Sequence, residues 1–519
     1  MLNKTSVHGT ASSTHVPSQD SWLKKNVLTF DGGGVRGFYS LLFMQRLMQF
    51  IASEEKDRGL ISLVSREPLG TREKRVTSFS PCCEPRNLSH RDGNEDGYTP
   101  FLPCHYFDYI GGTSTGGLIA IMLGRFRMTV EDCIDEYTHL AGDVFGHPRH
   151  LHDMNTYGLI KRCKYDTKRF EAVIKDVIVR RVESGRNDLS NALFDTELGL
   201  CRVLVIANRI ASEGVVTDLR LFRSYEINNH QKPERRPTQL LFPKDPRDEH
   251  GGRSGDLSVW QVARATTAAP LYFEPMEILT DGNPRQVRTN SWPKKYDSSP
   301  KPYRERLEDG GLGHANNPSK VMYDELTDNL PNNMSIGTFV SIGTARPMEQ
   351  PTGPRLFRII KGSISRLGNP EHIHNQMKNI VSKNQSFSYY RLNQPNGLSG
   401  IEMDDWDPKP SGKDTMKMMK STFDAYIGST EMVRYMQRCA KELVTARRAR
   451  AEANLPKWER FAVGRHFYCR IPNCPDDEVR REIDEVKFIA HLKDGHNMRD
   501  DDIQAALREC EGQWAYRGR

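Results

Sequence analysis

The chain lacks any apolar run long enough to cross a membrane as a helix. Its longest apolar stretches, such as Leu118 to Leu123, fall far short of the ~20 residues such a span needs. The first residues, Met1 to Ser21, are polar and rich in Ser, Thr and His, without the apolar core of a secretory signal. Cysteine is not scarce, at ten in 519 residues, but it is scattered. With no export signal, these are expected to be reduced thiols and not a disulfide framework. Neither sign of charge dominates, since 74 Lys and Arg against 67 Asp and Glu leave +7. So mild a balance favours an anionic membrane surface and does not call for a nucleic-acid partner. There is no long repeat and no low-complexity tract, which excludes collagen and a coiled-coil rod. The expected protein is cytoplasmic, without a transmembrane segment, and peripheral wherever it meets a membrane.

What is present is a composition with 37% apolar and 27% charged residues, on the polar side for a globular protein. The length corresponds to about three domains, or one large domain with extensions. Residues 1–24 read as a disordered tail. Val27 to Phe30 is expected as a buried strand, broken by Asp31-Gly32-Gly33-Gly34, and Phe38 to Ile51 as a buried amphipathic helix. A second strand–turn–helix unit is expected from Tyr106 through Gly111-Gly112-Thr113-Ser114-Thr115-Gly116-Gly117 into Leu118 to Leu123. Further strands are expected at Arg202 to Ala207, Leu219 to Ser224 and Ile336 to Ile342, and helices at Val130 to Ala141, Thr167 to Val182 and Ser258 to Ala265. This alternation implies an α/β fold with a largely parallel sheet. Polar insertions are expected near 52–103, 230–255 and 281–305. After Thr344 no strand is expected. Residues 346–460 read as a helical extension, with a basic helix end at Ala446 to Ala451, and 461–519 as a Cys/His module.

Three motifs carry chemistry. In Gly112-x-Ser114-x-Gly116, a serine between glycines at a strand-to-helix turn can hold strained backbone angles and expose its hydroxyl, with the following helix N-terminus aimed at it. Gly32-Gly33-Gly34-Val35-Arg36-Gly37 fits G-x-G-x-x-G and has two readings. A dinucleotide loop needs an acidic residue ending the next strand, and Glu54 and Glu55 stand at that distance in a charged stretch with no strand ahead. An oxyanion loop needs only glycine N–H groups converging on one point. Asp309-Gly310-Gly311 is a carboxylate on a tight turn, one of several such pairs in the chain.

In this order the pieces resemble the patatin-like phospholipase family over roughly residues 25–345. The resemblance rests on Leu28 to Gly37, Phe107 to Gly117, Trp260 to Pro270, Asp309 to Leu312 with Asn316-Asn317-Pro318, and Val340 to Thr344. It implies a three-layer α/β/α hydrolase domain with a mainly helical C-terminal extension. Ser114 would be the nucleophile and Asp309 its general base. Gly32, Gly33, Gly34, Arg36 and Gly37 would form the oxyanion loop, Gly112 and Gly116 the nucleophile elbow, and Gly310 and Gly311 the turn behind the aspartate. The implied reaction is metal-independent hydrolysis of acyl esters of glycerophospholipids, lysophospholipids or acylglycerols, at a membrane or droplet surface. The alternative is a catalytically silent lipid-binding or scaffolding relative. His314 and His105 are read as solvent-facing or capping histidines, not members of a triad.

Near the C-terminus, Cys469-x4-Cys474 is followed after sixteen residues by His491-x4-His496. Two Cys and two His suit tetrahedral zinc. The set resembles a divergent Cys2His2 zinc finger with a lengthened central loop, and a structural zinc is the one metal the sequence invites.

Overall fold

The computed structural model describes residues 19–58, 101–149, 163–181, 189–195, 199–211, 216–225, 257–280, 303–311, 315–345, 370–463, 466–467, 469–472, 474 and 485–512. The strands are β1 (Lys24–Phe30), β2 (Tyr109–Thr113), β3 (Arg202–Ile210), β4 (Val216–Arg223), β5 (Met276–Thr280), β6 (Tyr303–Asp309), β7 (Ser335–Ile342), β8 (Ser388–Leu392), β9 (His466–Phe467) and β10 (Glu511–Gly512). The helices are α1 (Gly37–Asp57), α2 (Thr115–Ala120), α3 (Val130–Phe145), α4 (Thr167–Arg181), α5 (Val259–Thr266) and α6 (Ser319–Asn329). After them come α7 (Pro370–Asn384), α8 (Lys413–Ile427), α9 (Thr430–Ala453), α10 (Leu455–Val463), α11 (Glu485–His496) and α12 (Asp500–Cys510).

The main sheet runs β5-β6-β3-β2-β1-β7-β8, with β4 paired to β3. Strand β1 is parallel to both β2 and β7, which suits a strand whose last five residues are all buried. Alternate strand residues serve opposite faces. Leu28, Phe30, Ile110, Val203, Val205, Val340 and Ile342 join one core with α1, α3, α8 and α9. Val27, Tyr109, Leu204 and Phe339 join another with Met322 and Leu326 of α6 and Ile373 and Met377 of α7. That period of two, helix-covered on both faces, is the three-layer α/β/α arrangement. Helix α3 starts at Thr129, whose side chain accepts from Asp132 N–H at 3.0 Å, with Glu131 and Asp132 favourable at the positive helix end. Helix α5 starts with a reciprocal Ser258–Gln261 capping box.

The sheet is mixed where the sequence reads as largely parallel, because β3 pairs antiparallel with both β4 and β6. Strand β6 also occupies residues that read as the end of a polar insertion. A strand does follow Thr344: β8 lies parallel to β7 in the same sheet. Helix α9 packs against α1 along its basic end. There Arg447 and Arg450 are buried and bonded to Glu55 and Asp108, each at 2.7 Å. Trp22, placed in the tail by composition, is buried against Phe461. Residues 1–18, 59–100, 226–256 and 281–302, which hold most of the expected tail and insertions, lie outside the described residues. Among the described residues no helix is long and apolar enough to cross a membrane.

Candidate active site

Strand β3 acts as the ruler of the site. Its residues Arg202 to Ile206 pair with β2, ending at Thr113↔Ile206. The next residue, Ala207, pairs with Asp309 at the end of β6. Strand β4 takes the other edge of β3, so β6 continues on the edge that β2 vacates. Ser114 follows directly after β2, and the two side chains meet: Ser114 Oγ donates to Asp309 Oδ2 at 2.5 Å.

Ser114 holds φ 58° and ψ −131°, a conformation L-residues rarely adopt. The surroundings impose it. A Cβ on Gly112 would stand 2.0 Å from the Gly116 carbonyl oxygen, and one on Gly116 would stand 2.4 Å from that of Phe30. The elbow therefore packs against β1 only with glycine at both positions. The Ser114 N–H donates to Thr266 Oγ1 at 2.9 Å, and that hydroxyl donates to the Ile206 carbonyl at 2.6 Å. Thr266, the last residue of α5, pins the Ser114 backbone. Its block was recognisable in sequence, but its role was not.

Asp309 is wholly buried, and both its oxygens are used. Gly311 N–H donates to Oδ1 at 2.7 Å, and Asn208 Nδ2 holds the Asp309 carbonyl at 2.8 Å. Burial pushes the carboxyl up to about 7, against the hydrogen bonds from Ser114 and Gly311, which pull it down. A base poised near neutrality suits proton abstraction from an alcohol.

The glycine loop follows β1, beside the serine elbow, since Phe30 pairs with Gly112 across the parallel strands. Gly32 N–H donates to the Asn316 carbonyl at 3.0 Å, and Gly33 N–H to Thr115 Oγ1 at 3.3 Å. Val35 N–H donates to the Met403 carbonyl at 2.8 Å. Gly34 N–H makes no hydrogen bond to a described residue. Gly34 has φ 58°, and a Cβ there would stand 1.8 Å from the Met403 oxygen, so the loop admits no side chain. The Tyr137 hydroxyl donates to the Gly34 carbonyl, fixing the direction of the peptide. Arg36 donates to the Ile401 carbonyl at 3.2 Å, tying down the segment that bears Met403. Gly37 starts α1, close against Tyr137, and Gly310 and Gly311 turn the chain out of β6.

Ser114 and Asp309 open into a pocket that Gly34 and Thr115 also line. Its walls are mostly apolar: Leu118, Leu140, Val144, Phe145, Phe170 and Phe273.

Beneath the loop, Asp31 is gripped by Arg391 of β8 through Nη1 to Oδ1 at 2.9 Å and Nη2 to Oδ2 at 2.7 Å. Arg391 also donates to Ser341 Oγ at 2.8 Å. Sequence reasoning gave Asp31 no partner, because nothing local pairs it with a residue 360 positions away.

The nucleotide-loop reading fails on Glu54 and Glu55, which lie in α1 and not at the end of a strand. Glu55 is buried against Arg447 and Arg448. His105 is buried, not solvent-facing. Its Nε2 lies 2.8 Å from the Ala462 carbonyl, and burial lowers it to about 3. His314 lies outside the described residues. Cys469, Cys474, His491 and His496 come together in a separate small core, away from this pocket.

Fold and site define the class. Residues 98–323 match the family model described as patatin-like phospholipase, and over that segment the chain is similar to the family. The glycine loop precedes the matched segment, so its place at the serine rests on the geometry above. Among its relatives is human calcium-independent phospholipase A2-gamma, 25% identical over 306 residues, which are 56% of this chain and 31% of the human protein. Phospholipase A I of Arabidopsis thaliana is 24% identical over 59% of this chain and 23% of its own length. The cGAMP-activated phospholipase of Vibrio cholerae is 27% identical over 35% of this chain and 41% of its own. The chain thus spans less than half the length of each of these relatives.

Proposed function

We propose that this chain is a lipid acyl hydrolase that cleaves carboxylic esters of phospholipids, lysophospholipids or acylglycerols through an acyl-enzyme on Ser114. The observation that carries the reading is the Ser114–Asp309 hydrogen bond, placed where both residues line an apolar pocket. In the first step Asp309 Oδ2 takes the hydroxyl proton as Ser114 Oγ attacks the ester carbonyl carbon. Charge develops on the carbonyl oxygen beside the Gly34 N–H and the first N–H groups of α2, with the positive end of that helix behind them. The alcohol leaves with the proton held on Asp309. Water, deprotonated by the same carboxylate, then releases the fatty acid. An aspartate is a weak base for an alcohol, so stabilising the oxyanion must supply much of the rate.

No metal enters these steps, and the calcium-independent character in the human relative's name supports the same for this chain. Contact with lipid is proposed as peripheral, at a membrane or droplet surface.

The test uses the full chain in EDTA with vesicles of phosphatidylcholine, lysophospholipid or diacylglycerol. Fatty acid should be released, and a fluorophosphonate should label one peptide, the one containing Ser114. If no ester class is cleaved and no label enters that peptide, the chain is a silent lipid-binding relative. Gly34→Ala, whose Cβ would push the loop off the Met403 carbonyl and move the Gly34 N–H out of line, should cut hydrolysis of a soluble nitrophenyl ester by about a hundredfold, the scale of one oxyanion donor. An effect below threefold would place the oxyanion elsewhere.

A further inference from the structure

We propose that Cys469, Cys474, His491 and His496 bind one zinc ion tetrahedrally, as a structural centre of the module spanning residues 466–512.

The donor atoms already have the outline of a coordination tetrahedron. His491 Nε2 and His496 Nε2 lie 3.1 Å apart. Cys469 Sγ lies 3.4 Å from His496 Nε2, and Cys474 Sγ lies 3.5 Å from His491 Nε2. A tetrahedral zinc with Zn–S of about 2.3 Å and Zn–N of about 2.05 Å has N···N edges of about 3.3 Å and S···N edges of about 3.6 Å. All four donors fall within 4.8 Å of one another. Three of the residues are buried and His496 is half-buried. Four protein donors close the coordination sphere, which is the pattern of a structural site, whereas a catalytic zinc keeps a position open. Two soft thiolates and two imidazoles in this geometry select zinc over calcium or magnesium, which take oxygen ligands.

The local fold is arranged around the four residues. Helix α11 carries both histidines. Five residues apart, they would diverge on a regular helix, but His496 is its last residue. Asn497 follows with φ 48°, and Met498 N–H closes back on the Leu492 carbonyl at 3.0 Å. That turn brings the two rings to 4.8 Å between centroids. Phe488, stacked on Phe467, backs the His491 ring. The cysteines enter from the chain after β9, which pairs with β10 at the module's other end.

The module also needs a tie. Among the described residues its core is separate from the other cores and comprises few residues beyond the two cysteines: Phe467, Phe488, Leu492, Ile503, Ala506, Leu507 and Cys510. A unit of fewer than about 50 residues with so small a core is marginal without metal, disulfide or partner. Cys469 and Cys474 form no disulfide.

The full chain, purified without chelator, should carry one zinc ion by metal analysis and native mass spectrometry. Exchange for Co²⁺ should give the intense visible bands of a tetrahedral site with thiolate charge transfer. Cys474→Ser and His491→Ala should each reduce zinc to background. Cys510→Ala, a change in the same core outside the donor set, should retain it. This control separates loss of ligand from loss of fold. On removing zinc, amide exchange should rise at least tenfold across 485–512 and stay unchanged across 335–345. Full zinc content in Cys474→Ser, zinc lost equally in Cys510→Ala, or an octahedral Co²⁺ spectrum would overturn the assignment.

Discussion

Asp309→Asn is expected to lower fatty-acid release by about 10³-fold, the scale of a lost general base, and at the same time to stabilise the protein at neutral pH. The two effects share a cause. Burial holds the Asp309 carboxyl up at about 7, well above its ordinary 3.8, so its neutral form is favoured in the folded state. The stability tied to that proton is fully present below pH ~4 and is lost as pH rises through about 7, by up to ~1.4 kcal/mol per pH unit. An amide at 309 does not titrate. The melting temperature of Asp309→Asn should therefore match wild type near pH 4 and exceed it by a margin that grows to pH 8. In wild type, kcat/KM should rise about tenfold per pH unit below 7 and level off above, as the carboxylate forms. A profile flat from pH 5 to 8, or a margin of the variant over wild type no larger at pH 8 than at pH 4, would remove Asp309 from the role of base.

The second large effect is expected at the buried pair beneath the glycine loop. Arg391→Met should cost about 3–5 kcal/mol in urea unfolding, because it strands the Asp31 carboxylate away from water with its guanidinium gone. The double variant Asp31→Asn with Arg391→Met should recover part of that loss, since no buried charge then stands alone. An exposed pair gives the contrast. Arg149 and Asp166 lie 2.9 Å apart but are 28% and 45% exposed, and Arg149→Met should stay within about 1 kcal/mol. If Arg391→Met also falls within that margin, the loop is held by something else.

What could be seen in the sequence was what sterics make local. The elbow around Ser114 needs small residues two positions either side wherever it occurs, so the pattern carries its own reason. The strand and helix around it follow from apolar spacing. What stayed hidden was carried by charge at long range. Strand β6 reads Tyr-Arg-Glu-Arg-Leu-Glu-Asp and resembles an insertion, because Glu305 is satisfied by Arg209 of β3 and not by burial of an apolar face. Strand β8 is five residues long with Arg391 inside it, and Asp31 is what compensates that buried charge. Arg447 and Arg450 look like a solvated helix end until Glu55 and Asp108 are placed beside them. The Cys/His spacing was visible, whereas the turn at Asn497 that gathers the two histidines was not.

The same long-range pairs set a schedule for synthesis. Asp31 waits for a partner 360 residues downstream, and Asp108 for Arg450, 342 residues downstream. At about 5–20 residues per second, a ribosome takes roughly 20 to 70 seconds to deliver such a partner. Late in that interval the nascent chain holds Ser114 and Asp309 while the glycine loop is still without Arg391. A site anchored this way is a late product of translation, complete only once Arg391 and Arg450 have been made.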